Sequence, residues 1–326
     1  MNIVFHGINA HSFSTDFASA LEARHTVALL PDKLESAEHQ AAFSAAEVII
    51  ASWFKPGPAP PERLRLLHLT GAGYDSVDFT ALPARASVCN CFGHEPAISE
   101  YVMAALLARC VPLTEADAAL RRGLWPFNAR GLDTVHGELA GRTIGLLGYG
   151  HIGKAIAIRA HAFGMRVHVA NRSPVAVGDI VDRAWGFDGL NEFFAAAEFI
   201  VSSLPLTAGT AGIVGRAAFD VMRADAVLFN VGRGGVVDEQ ALYDALAGQR
   251  IGGAVIDTWY QYPDASGAPT LPARLPFHEL PNIVMTPHMS GWTIGTIRRR
   301  RQAMADNINL LARGAALVNV VREGTR

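Results

Sequence analysis

The stretch Gly148-Tyr149-Gly150-His151-Ile152-Gly153 constrains this chain more than any other. An apolar run, Thr143–Leu147, leads into it, a helix-like stretch leads out of it, and a second apolar run, Arg166–Ala170, follows. In a strand–turn–helix unit the first glycine permits the tight turn. The second lets backbone approach a pyrophosphate, and the third lets the helix pack closely on the strand. Amides at the helix start then face phosphate oxygens. Glycine turns of this spacing also occur for structural reasons alone. The strand, helix and second strand that fall into place around this one make it a dinucleotide signature, with these six residues as the first expected cofactor contacts.

The signature stands near the middle of 326 residues, a length that suggests two domains. Short apolar runs alternate with helix-like stretches on both sides of it, the mark of parallel sheets flanked by helices. The first series is 2–5, 26–30, 47–51, 66–70 and 87–90. The second is 143–147, 166–170, 199–203, 226–230, 253–257 and 282–286. Helical spacing over Ile98–Val111 separates the two series, and a long helix is expected over about 293–313. The economical reading is an α/β protein of two doubly wound parallel-sheet domains. A Rossmann nucleotide-binding domain, 100–289, is inserted into a flavodoxin-like domain made of 1–99 and 290–326.

Composition narrows the partners. Lys plus Arg, 28, nearly cancels Asp plus Glu, 30, which argues against nucleic acid or an acidic membrane surface as the main partner. Cys89, Cys91 and Cys110 form neither a paired framework nor a zinc set, so reduced thiols and no metal are expected. The start, Met-Asn-Ile-Val-Phe-His-Gly, lacks the pattern of a signal peptide, and no uncharged run has membrane-spanning length. A cytoplasmic protein is the expectation. "KPGPAPP", 55–61, reads as a proline-rich loop. Arg298–Arg301, consecutive on the last helix, cannot share one face and read as a solvated surface with salt bridges.

The strand 166–170 ends on Asn171-Arg172-Ser173, where a ribose-binding acid would be expected. A carboxylate there would repel a 2′-phosphate. Asn171 removes that repulsion, Arg172 can pair with phosphate, and Ser173 can donate. The expected cofactor is therefore NADP, with NAD possible. Three loops after strands of the second series carry groups for chemistry: Arg233 between glycines in "NVGRGG", Asp257 in "VIDTW", and His288 in "TPHMSG". An arginine can grip a carboxylate bidentately, and a histidine can move a proton.

Taken in order, Gly-Tyr-Gly-His-Ile-Gly, Leu-Pro-Leu-Thr (204–207), Asn-Val-Gly-Arg-Gly, Ile-Asp-Thr-Trp and Thr-Pro-His-Met-Ser-Gly resemble the D-isomer-specific 2-hydroxyacid dehydrogenases. That family includes glyoxylate/hydroxypyruvate reductases, phosphoglycerate dehydrogenases and formate dehydrogenases. "TGAGYDSVD" (70–78) and the split arrangement extend the resemblance over essentially the full chain. It implies hydride transfer from NADPH to C2 of a small 2-oxo acid such as glyoxylate or hydroxypyruvate. Arg233 would bind the substrate carboxylate and polarise the C2 oxygen, His288 would act as acid/base, and Asp257 would lie near the nicotinamide carboxamide. Backbone at Ala72, Gly73 and Tyr74 would hold the carboxylate. Leu204, Pro205, Thr210, Val231, Gly232 and Ser290 would complete the cofactor contacts, and a homodimer is implied.

The pattern breaks at Tyr262. Most relatives carry a glutamate there, five residues after the aspartate, which pairs with the histidine. A phenol supplies no such charge, so His288 is expected either to lack a carboxylate or to pair with Glu95 or Glu100. His94 in "FGHEPAISEYV" is a further substrate-binding candidate. Two alternatives stand beside the reductase: formate-type oxidation of a small anion, since formate dehydrogenases also lack that glutamate, and a non-catalytic NAD(P)-sensing interaction protein.

Overall fold

The structure, a computed structural model, describes residues 1–57, 60–264 and 267–325, so two residues of the proline-rich 55–61 loop lie outside the described residues. The chain divides into two compact units, Met1–Gly93 with Thr293–Arg326, and His94–Trp292.

The first unit is built on strands β1 (Asn2–His6), β2 (Thr26–Leu30), β3 (Val48–Ala51), β4 (Leu66–Leu69) and β5 (Ser87–Cys89). The second carries β6 (Thr143–Leu147), β7 (Arg166–Ala170), β8 (Arg183–Trp185), β9 (Phe199–Ser202), β10 (Val227–Asn230), β11 (Gly253–Ile256) and β12 (Ile283–Met285). A last strand, β13 (Val320–Arg322), returns to the first unit.

In the first unit the order is β13-β5-β4-β3-β1-β2, parallel except for β13, which runs antiparallel to β5. Leaving out β13, this is the flavodoxin-like order. Val48–Ala51 and Leu66–Leu69 are buried at every position, as central parallel strands covered on both faces should be. Ile3, Phe5, Phe13 and Phe17 pack with Met304 and Ile308 of the helix Ile294–Ala312. Val4, Ile49, Leu67 and Phe43 form the opposite core. Thr293 caps that helix by accepting from the Thr296 amide.

One polar knot ties this unit together. Asn307 donates through Nδ2 to the Val318 carbonyl at 2.9 Å and accepts from the Val318 amide at 2.8 Å, which fixes its amide orientation. The same Nδ2 lies 3.0 Å from His68 Nε2, so Nε2 accepts, and the ring proton sits on Nδ1, which donates to the Leu69 carbonyl at 3.1 Å. His68 is thus buried and neutral, and burial pushes its pKa down to about 4. The unfolded chain binds this proton at about 6.5, so the stabilisation is whole above that pH and is lost as pH falls toward the folded value. Urea unfolding at pH 7 and 4.5 should show about 2–3 kcal/mol more acid loss in the parent than in His68→Gln. Equal losses would remove this assignment.

The second unit has the order β12-β11-β10-β9-β6-β7-β8, with every pair parallel. The chain runs outward from β6 through β7 to β8, then restarts at β9 on the other side. The carboxyl ends of β6 and β9 therefore mark the switch point where such sheets bind ligands. The helix Glu95–Cys110 starts three residues before the expected Ile98, because Pro96 fits its first turn. Among the described residues no single helix is long and apolar enough to cross a membrane. The three cysteines are buried, and burial pushes the Cys89 thiol up to about 12.

Candidate active site

The glycine turn has the geometry its residues call for. Gly148 sits at φ +99°, open to glycine and strained for other residues. A Cβ on Gly153 would lie 2.2 Å from the Gly148 carbonyl oxygen, so only glycine lets the helix His151–Ala162 start so close to β6. At Gly150 a Cβ would meet nothing within 4 Å, so the backbone there borders open space. Tyr149 and Ile152 pack on the core beneath.

Across the turn, the Tyr149 amide donates to Asn171 Oδ1 at 3.1 Å, and Asn171 Nδ2 donates to the Ser173 carbonyl at 2.9 Å. This side chain ties the glycine turn to the end of β7. Arg172 and Ser173 remain exposed. Asn171 and Arg172, with Pro174, Val175, Trp185 and Gly186, line a pocket of about 250 Å³. After β9, Leu204 is buried, and Thr210 folds the next loop by donating to the Pro205 carbonyl at 2.6 Å and accepting from the Thr207 amide at 2.8 Å.

Arg233 occupies a turn that only glycines can flank. A Cβ on Gly232 would fall 2.5 Å from the Leu204 carbonyl oxygen, and one on Gly234 would fall 2.1 Å from that of Trp259. Buried Asn230, at the end of β10, shapes this turn. Its Oδ1 accepts from the Gly232 amide at 3.3 Å, and its Nδ2 donates to the Arg233 carbonyl at 3.1 Å. Val231 is buried beside it. Arg233 Nη1 donates to the Gly232 carbonyl at 3.1 Å.

On the neighbouring strand β11, Asp257 follows Ile256 and is wholly buried. It accepts from Thr286 Oγ1 at 2.6 Å, from the Met289 amide at 2.8 Å and from the Ser290 amide at 3.0 Å. Trp259 Nε1 donates to the Thr286 carbonyl at 2.8 Å, and Tyr101 Oη lies 2.7 Å from Thr286 Oγ1. Thr286 has given its one hydroxyl proton to Asp257, so Tyr101 is the donor of that pair. Between these anchors His288 takes φ +56°, a left-handed conformation uncommon outside glycine.

Tyr262 meets the histidine directly, with its hydroxyl 3.0 Å from His288 Nδ1. The Trp259 amide donates to that hydroxyl at 3.2 Å. Of the two carboxylates the sequence offered to His288, Glu100 is exposed and lies 3.9 Å from Arg159, so it serves a helix surface instead; Glu95 lies 3.9 Å from buried His94. In the first unit, the Ala72 carbonyl accepts from Asn90 Nδ2 at 2.8 Å, and Gly73 leads into half-exposed Tyr74, which packs edge-on against Phe79. Asn230, Trp259, Thr286 and Tyr101 were not singled out from the sequence. An asparagine just before a glycine turn was the available signal for Asn230, and Tyr101 offered none.

The family model described as the NAD-binding domain of D-isomer-specific 2-hydroxyacid dehydrogenases matches residues 103–290. Glyoxylate/hydroxypyruvate reductase B of Pectobacterium carotovorum subsp. carotovorum (strain PC1) is 32% identical over 321 residues, 94% of each chain. D-3-phosphoglycerate dehydrogenase of Methanocaldococcus jannaschii is 31% identical over 266 residues, 80% of this chain and 48% of that protein, so this chain spans about half of that relative's length. A solved acyclic imino acid reductase in complex with NADPH and D-Arg superposes with a TM-score of 0.77 at 26% identity, covering 99% of this chain and 100% of that one.

Proposed function

This chain belongs to the D-isomer-specific 2-hydroxyacid dehydrogenases, a family of NAD(P)-dependent oxidoreductases, and from that premise we propose that it reduces a small 2-oxo acid to the D-2-hydroxy acid with NADPH. One observation carries the reading: β10, β11 and β12 are adjacent and parallel, and they end on Arg233, Asp257 and the His288 loop. Three groups of the required chemistry thus leave the sheet at one edge.

The cradle suits a dinucleotide. Open space at Gly150 and the close approach at Gly153 fit a pyrophosphate at the start of the helix His151–Ala162. Backbone of 148–153 would hold that group. Leu204, Pro205, Val231, Gly232 and Ser290 would border the nicotinamide half. At the end of β7, Asn171 brings no carboxylate and its amide is engaged, so Arg172 and Ser173 would meet a 2′-phosphate. Bound there, the cofactor supplies hydride to C2 of the substrate.

The remaining work falls to the chain's own side chains. The Arg233 guanidinium would hold the substrate carboxylate and stabilise charge growing on the C2 oxygen. With Tyr262 on Nδ1, Nε2 of His288 would present the proton to that oxygen. Fixing both groups relative to the substrate supplies rate through orientation.

Initial rates followed at 340 nm with glyoxylate, hydroxypyruvate, pyruvate and phenylpyruvate test the proposal. NADPH should be consumed faster than NADH, with glyoxylate or hydroxypyruvate among the better substrates. NADH preference would overturn the cofactor assignment. NADPH binding without turnover of any acid would favour a nucleotide sensor, and NADP⁺ reduction by formate would favour small-anion oxidation.

We also assign a second copy of the chain to the exposed apolar stretch 113–135, where Leu113, Trp125, Leu132 and Val135 are each at least two-thirds exposed. Light scattering should report a dimer, and Trp125→Asp with Leu132→Asp a monomer. A monomeric parent would remove this assignment.

A further inference from the structure

We propose that Arg300 is a substrate-binding residue: beside two backbone amides of the 70–74 turn it forms an anion site in the first unit, and this site takes the carboxylate of the 2-oxo acid. The inference rests on the reading of the chain as a 2-oxo acid reductase and deepens it. The guanidinium is additional to the one that Arg233 would supply. Every part of the site belongs to Met1–Gly93 with Thr293–Arg326, and the turn lies at the carboxyl end of β4. That is the edge on which open parallel sheets carry their ligands.

The direction of the two amides follows from their carbonyls. The Gly71 carbonyl accepts from the Cys91 amide at 3.0 Å, and the Ala72 carbonyl accepts from Asn90 Nδ2 at 2.8 Å, so both are turned toward β5 and the segment that follows it. In a planar trans peptide the N–H points opposite to the C=O. The Ala72 and Gly73 amides are thereby turned away from that segment, and among the described residues neither meets an acceptor. Successive amides fixed in this way suit the oxygens of an anion.

Arg300 brings charge to this turn. Its Nη1 and Nη2 lie 3.8 and 4.0 Å from the point where a side chain on Gly71 would begin, so the forked end of the guanidinium borders the turn. The helix Ile294–Ala312 is pinned to hold it there. Arg299 Nε donates to the Gly93 carbonyl at 2.7 Å, and Cys91 Sγ donates to the Arg300 carbonyl at 3.7 Å. Cys91 thus joins the two parts: its amide orients the turn, and its thiol meets the residue that carries the charge. A charge-assisted bond to a carboxylate is about twice as strong as a neutral one, so Arg300 should set how tightly the acid binds.

Steady-state kinetics of Arg300→Met with NADPH and glyoxylate or hydroxypyruvate test the site. KM for the acid should rise about 10- to 100-fold, with kcat within about threefold and NADPH affinity within about twofold. The parent KM should climb with ionic strength, and that of the variant should climb less. A side chain that only packs beneath the turn would move neither the salt dependence nor the split between KM and kcat. Arg300→Lys keeps the charge and loses the fork, so its KM should fall between the two, and it carries the test if Arg300→Met does not fold. Oxamate, a dead-end analogue titrated by calorimetry into the NADPH complex, separates the site from the reaction. The parent should bind it about 10- to 100-fold more tightly than Arg300→Met. That same difference in a parent that reduces no 2-oxo acid would remove the catalytic reading and keep the anion site. KM and oxamate affinity unmoved by the substitutions, a loss confined to kcat, or a parent that neither reduces a 2-oxo acid nor binds oxamate would overturn the proposal.

Discussion

Replacing His288 with alanine is expected to lower kcat for 2-oxo acid reduction about a thousandfold while NADPH binding changes little. The imidazole is held on its Nδ1 side by Tyr262, and in the proposed reaction its other nitrogen hands over the proton. Alanine leaves that transfer to water, which is neither aligned nor acidic enough to compete. The loss belongs to kcat because the proton moves only as the alkoxide forms. The phenol makes a second measurement informative. A carboxylate at this position favours the charged imidazole, so Tyr262→Glu should move the fall of kcat with rising pH to higher pH by about one unit. Tyr262→Phe, which removes the hydroxyl from both His288 Nδ1 and the Trp259 amide, should lower kcat with no such upward move. Superimposable kcat profiles for the parent and Tyr262→Glu would show that this neighbour does not govern the histidine.

Why the fold was legible and parts of the site were not follows from where the information lies. β3, β4 and β6 are buried at every position, so their sequences are unbroken apolar runs bounded by turn residues. β8 and β13 are edge strands of three residues each, too short for any period to declare itself, and β13 exists because it pairs with β5, far away in sequence. At the site, residue types at strand ends were readable, since a glycine-flanked arginine and a histidine after proline are local patterns. What each side chain holds was not. Asp257 was legible as an acid at a strand end because that position is local. Its engagement with Met289, Ser290 and Thr286 depends on β11 lying beside β12. Asn171 followed the same course: the missing negative charge was visible, but its bond to the Tyr149 amide needed the two loops together in space.

That bond shapes the second large effect, on cofactor choice. Arg172→Ala should lower the NADPH-to-NADH ratio of kcat/KM by about 10- to 100-fold, the worth of one charge-assisted contact to a phosphate. The fall should come from weaker use of NADPH, since the adenosine ribose of NADH has no phosphate for the guanidinium to meet. Asn171→Asp acts differently. A carboxylate can still accept from the Tyr149 amide, so the glycine turn should survive. It cannot donate to the Ser173 carbonyl, and the two oxygens, held 2.9 Å apart in the place of the present hydrogen bond, would repel. The loop carrying Arg172 and Ser173 would then swing away while a negative charge appears where the 2′-phosphate belongs. Both consequences disfavour NADPH, and a carboxylate that turns toward solvent can accept from the ribose 2′-hydroxyl of NADH. The double variant Asn171→Asp with Arg172→Ala is therefore expected to shift the ratio about a thousandfold in favour of NADH. The two changes act on one phosphate, so their effects should add to less than the sum of the separate free energies. A ratio unmoved by either change would mean that the pocket lined by Asn171, Arg172 and Trp185 does not receive the 2′-phosphate.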